Sequence, residues 1–182
     1  MMIDPRSGRI HVVSKEFAGS VYAAPENLDP SGENVLTRVD SAPLFATDAA
    51  FSPDGTRYAI RTYWGVSVYD GTNGVPGRSV GSFDLPEMEQ GESVAFTPDG
   101  TALMAGTEGA NSPVWRVPLS GELLPDAAAE AEVEASPAAD EDGSEDEEPR
   151  ESGASGALPL ILGGAAVAVV LIGAIGLLVR RT

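Results

Sequence analysis

The chain has 182 residues, 28 of them acidic and 11 basic, for a formal net charge of −17. So acidic a balance argues against nucleic-acid binding, which needs a basic surface to displace counterions from phosphate. With no cysteine and with His11 as the single histidine, disulfides, thiol catalysis, Cys-ligated zinc and multi-histidine metal sites are all excluded.

Residues 1–125 hold 16 acids against eight bases, a mild excess for a globular region, and they repeat. Pro53-Asp54-Gly55 recurs as Pro98-Asp99-Gly100, and Arg6-Ser7-Gly8 after Pro5 fills the same slot, with the glycines 47 and 45 residues apart. A second marker keeps that period: Val21-Tyr22, Val68-Tyr69 and Val114-Trp115 are 47 and 46 apart. In each turn proline fixes φ, the aspartate can bond its own backbone and glycine accepts φ > 0. A strand follows each turn, at Arg9–Ser14, Arg57–Thr62 and Ala102–Thr107. Another closes on each Val-aromatic pair, and a fourth is placed at Val35–Val39 and Ser79–Asp84. About four short strands per repeat of this length describe a propeller blade. The expectation is an all-β, open, partial β-propeller of about three blades, at residues 3–46, 47–90 and 91–125.

Residues 126–156 carry 12 acids and one base, Arg150, with no aromatic residue. Such a stretch cannot bury enough apolar surface to offset its ordering entropy and reads as a disordered acidic linker. Asp140, Asp142 and Gly143 invite a calcium loop, but Ala138 and Pro149 would fall where its first and last ligands belong, so the spacing fails. Residues 157–179 are uncharged and include 13 Leu, Ile or Val. As a helix they would reach about 35 Å against a hydrocarbon core of about 30 Å. A single transmembrane α-helix is expected there, anchoring the chain in the lipid bilayer. Arg180-Arg181-Thr182 then forms a cytoplasmic tail by the positive-inside rule, with residues 1–156 extracytoplasmic. A sortase signal would need Thr and Gly after Leu158-Pro159, which are absent.

Phe51-Ser52-Pro53-Asp54-Gly55 and Phe96-Thr97-Pro98-Asp99-Gly100 resemble the turns of WD40-like and TolB-like propeller repeats. Together with Asp4-Pro5-Arg6-Ser7-Gly8-Arg9, Val13-Ser14-Lys15-Glu16, Ala59-Ile60-Arg61-Thr62-Tyr63 and Gln90-Gly91-Glu92-Ser93-Val94-Ala95, they resemble the later blades of actinobacterial secreted or membrane-anchored β-propellers. The resemblance covers about residues 3–119 and implies no definite activity, although some relatives carry esterase-like or phytase-like labels. Three blades fall short of the about four to eight that close a propeller. Met1 to Ser14 has no basic, then apolar, leader. Both observations lead to the expectation that the natural chain begins upstream of Met1; self-association of open propellers into a homo-oligomer is the alternative.

Propeller ligands sit around the central channel, at the ends of inner strands. That places Asp48 and Glu92 before two inner strands, and Lys15, Glu16, Arg61, Tyr63 and Glu108 at matching ends of the next strands. These seven are the candidate channel-lining, ligand-binding residues. Asp48 and Glu92 could otherwise hold a cation such as calcium or act as an acid–base pair. No catalytic residue and no metal ligand is assigned, and no cofactor is called for. His11 reads as structural or exposed, and Trp64 and Trp115 as inter-blade packing. The expected function is a membrane-anchored, non-catalytic binding or scaffold module for a protein or small-molecule ligand. The alternatives are a metal-dependent hydrolase of ester or phosphate substrates, and a gene fragment without function of its own.

Overall fold

The computed structural model describes residues 1–86 and 90–135. They form three antiparallel sheets, one α-helix and a short 3-10 turn at Gly121–Leu123. The first sheet has the order β1 (Met2–Ile3), β2 (Ile10–Val13), β3 (Ser20–Ala23), β4 (Thr37–Ser41). The second runs β5 (Ala46–Phe51), β6 (Arg57–Thr62), β7 (Gly65–Asp70), β8 (Ser79–Asp84). The third has three strands, β9 (Gly91–Phe96), β10 (Ala102–Thr107) and β11 (Val114–Pro118). Every strand pairs with its neighbour in the chain, so each sheet is a meander, and all three are open. The expected boundaries of β6, β8 and β10 agree with the structure residue for residue. That at Val35–Val39 shifts to β4.

The turns explain this regularity. Gly8, Gly55 and Gly100 have φ of 72°, 74° and 72°, a region that a side chain would strain. The Ser52 hydroxyl donates to Asp54 Oδ1 at 2.7 Å, which also accepts the Thr56 amide at 3.0 Å. Thr97, Asp99 and Thr101 repeat that pattern. The first turn differs. Strand-end bonds from Asp4 N to Arg9 O, Ser52 N to Arg57 O and Thr97 N to Ala102 O align Asp4 with Ser52 and Thr97. Its glycine therefore falls one residue later, and the carboxylate comes from Asp4, which accepts the Arg6 amide and the Ser7 hydroxyl, both at 2.9 Å.

Two apolar clusters join the sheets. Tyr58, Ile60, Ala46 and Ala49 of the second sheet meet Met2 and Val21 of the first. Ala59, Val66 and Val68 meet Val94, Leu103 and Ala105 of the third. Strand β6 feeds both clusters because its successive side chains point to opposite faces. The first strands of the meanders lie side by side, β5 against both β1 and β9.

The expected linker is corrected at its start. Residues 126–135, assigned to the disordered linker, form helix α1 (Asp126–Ala135). Its amides find acceptors far away in sequence: Asp126 N–H donates to Thr56 Oγ1 at 2.9 Å and Ala127 N–H to Asp54 Oδ2 at 3.1 Å. Arg57 pairs with Asp126 at 3.1 Å, and Leu124 and Ala128 join the cluster between the second and third sheets. Composition alone cannot reveal such a cap. Among the described residues no helix is long and apolar enough to cross a membrane. The expected transmembrane helix at 157–179, the tail at 180–182 and the rest of the linker lie outside the described residues.

Candidate functional site

Asp48 and Glu92 lie within β5 and β9 rather than before them. Lys15 follows β2, and Arg61 and Tyr63 stand at and just beyond the end of β6. The structure brings Lys15, Tyr63 and Glu92 together from three sheets. Lys15 Nζ lies 3.3 Å from Glu92 Oε1 and 4.6 Å from the centre of the Tyr63 ring. The Tyr63 side chain first, and Glu92 after it, hold the Lys15 ammonium above the ordinary lysine range, while desolvation opposes them. A cation over a phenol ring and beside a carboxylate is suited to binding rather than to proton transfer at neutral pH.

Arg61 is placed differently from the expectation of a channel-lining ligand. Its side chain is 0% exposed. Nη1 donates to the carbonyls of Ser93 and Gly106, the latter at 2.5 Å, so the guanidinium fastens the second sheet to the third. Gly91 leaves room for it; a Cβ there would lie 2.3 Å from Arg61 Nη2. Burial pushes the Arg61 pKa down, and Glu92 and Asp48 oppose that. Asp48 is likewise engaged: Oδ2 accepts the Val94 amide at 3.0 Å and Oδ1 lies 3.5 Å from the Met1 ammonium.

The remaining two candidates sit at the margin. Glu16 Oε2 accepts from Ser14 Oγ at 3.1 Å. Glu108 is exposed beyond β10, its amide donating to Gln90 O at 3.0 Å. Among the described residues no group of three or more His, Asp or Glu is arranged to hold a metal ion.

Aromatic residues complete this end of the molecule. Trp64 touches Tyr63 and Phe45 edge-on, with centroids 6.1 and 5.8 Å apart, and Phe45 touches Phe17 at 5.9 Å. Phe17 is 71% and Trp64 61% exposed, so Trp64 does not pack between sheets as expected. Trp115, on the outer strand of the third sheet, is also exposed. Phe45 has φ of 54°, a left-handed conformation that a bulky residue rarely adopts. Phe17 and Phe45 escape a sequence reading because both lie in loops; an apolar residue directly after Pro43-Leu44, outside any strand pattern, is the available signal.

Compared with known proteins, the chain matches no family model, and no curated protein matches it.

Proposed function

We propose that this chain is a membrane-anchored, extracytoplasmic module of the β-propeller type, its three meanders serving as blades, and that it works by binding rather than by catalysis. The contact surface is the end carrying Lys15, Tyr63, Glu92, Phe17, Phe45 and Trp64. What carries the reading is the row of edge-on rings, with Phe17 and Trp64 exposed and Phe45 and Tyr63 half-buried, beside a cation–carboxylate pair. Exposing large rings and holding Phe45 at positive φ works against stability by about 1–3 kcal/mol for the backbone alone. Contiguous exposed apolar groups rimmed by polar ones are the mark of an interaction surface. Repetition of the turn chemistry in the second and third meanders, with an aspartate turn in the first whose glycine falls one residue later and the first strands of all three adjacent, supports the propeller reading.

The test places a photo-crosslinking residue at position 64, and as a control at position 132 on α1, in the anchored chain in intact cells. Adducts from position 64 alone, lost in Lys15→Glu, are the expected result. Equal labelling from both positions, or none from 64, overturns the binding surface. External protease that spares residues 1–125 until the cells are lysed overturns the extracytoplasmic assignment.

A further inference from the structure

At the opposite end of β2 from Lys15, a cleft of about 610 Å³ opens between the β1–β2 turn and the β7–β8 loop. Its wall includes Asp4, Arg6, Arg9, His11, Glu26 and Asn73. Most of this polar surface is already committed. Arg6 Nη1 donates to Thr72 O at 2.8 Å, Nη2 donates to Gly71 O, and Nε lies 3.5 Å from Asp4. That arginine closes the cleft by tying the two loops together and neutralises Asp4.

Arg9 and His11 are among the wall groups left with capacity. Arg9 uses Nε alone, donating to Ala24 O at 3.0 Å, and among the described residues its two terminal nitrogens have no acceptor. His11 is 2% exposed, and its Nδ1 is buried without a hydrogen-bond partner. A buried polar nitrogen in that condition costs about 1–3 kcal/mol, and few native groups are left so. The neutral ring can carry its proton on Nδ1 and donate it.

We propose that this cleft binds a small molecule through an oxyanion group, carboxylate or phosphate, taken by the Arg9 guanidinium with the His11 imidazole as its second polar contact. A planar guanidinium with two terminal nitrogens open matches the two oxygens of such a group. Glu26, exposed on the wall, supplies the one charge that opposes it beyond the neutralised Asp4–Arg6 pair.

His11, as the single histidine, provides the readout. The full chain in detergent, with ring-labelled histidine, is titrated with sodium phosphate and separately with sodium acetate, against sodium chloride at matched ionic strength. A saturable movement of the imidazole nitrogen resonances is expected with at least one oxyanion, and the tighter probe names the class. Arg9→Gln is expected to weaken it about tenfold. Glu26→Gln is expected to strengthen it about twofold by removing the opposing charge. A wild-type response no different from chloride overturns the proposal. Should Arg9→Gln fail to fold, Glu26→Gln decides: binding that is unaltered or weaker overturns it.

Discussion

Arg61 would pass in the sequence for a ligand-binding charge at a strand end, and its neighbours decide otherwise. Two backbone carbonyls of the third sheet depend on its guanidinium. Arg61→Met keeps the apolar stem but leaves both carbonyls without that donor in a buried setting. Each orphaned carbonyl costs about 1–3 kcal/mol, so the variant should lose about 2–5 kcal/mol in urea unfolding. Arg61→Lys should recover little, because an ammonium cannot fork as a guanidinium does. A surface ligand residue would instead move stability by about 0.5 kcal/mol or less. His11 sets a second residue-level expectation. Burial, and then the Arg9 cation, hold its pKa below the ordinary 6.5, with Asp4 and the Arg9 backbone opposing. The unfolded chain therefore takes up a proton before the folded one does. Stability is full above about pH 6.5 and falls as the pH drops below it. Thermal unfolding between pH 7.5 and 5 should show this slope in the wild type and lose it in His11→Leu (a range set by the histidine pKa of about 6.5). The depressed carboxyls of Asp4, Asp54 and Asp70 act only at lower pH, below the ordinary value of 3.8.

At the scale of elements, the β5–β6 turn serves two structures at once. Asp54 closes its own turn through Ser52 and Thr56 and also accepts the Ala127 amide at the start of α1. Asp99 performs only the first task, through Thr97 and Thr101. Asp54→Ala should therefore cost about 1–2 kcal/mol and fray α1, by analogy with loss of a helix N-cap. Asp99→Ala should leave the helix intact. Far-ultraviolet circular dichroism separates the two: helical signal is lost in the first variant alone. The same contrast shows what the sequence could disclose. Strands β6, β8 and β10 are bounded by proline, aspartate and glycine turns within a few residues, so local chemistry sets their ends. Helix α1 looks like solvated linker because its acceptors, Asp54 and Thr56, lie 73 and 70 residues away. The Lys15–Glu92 pair, separated by 77 positions, is of that second kind. Both residues were legible as candidates at strand ends, whereas their meeting depends on how three sheets stack.

For the whole molecule, the two inter-sheet clusters imply an order of opening. The cluster between the second and third sheets holds ten buried residues, with Leu85, Leu119, Leu124 and Ala128 added by loops and α1. The cluster between the first and second sheets holds six. Apolar burial stabilises by about 25 cal/mol per Å², so the first sheet should be the more weakly held and should open as a unit before the rest. Native-state hydrogen exchange tests this directly. Amides of β2 and β3 should exchange through a lower-energy opening than those of β6 and β10. Val21→Ala should lower protection in the first sheet while leaving β10 unchanged. Leu103→Ala, which hollows the larger cluster at a fully buried position for about 2–5 kcal/mol, should lower protection everywhere. If protection in β2 and β10 falls equally in both variants, the three sheets unfold as one cooperative body, and the Arg9–His11 cleft and the Lys15–Glu92 end cannot open independently of each other.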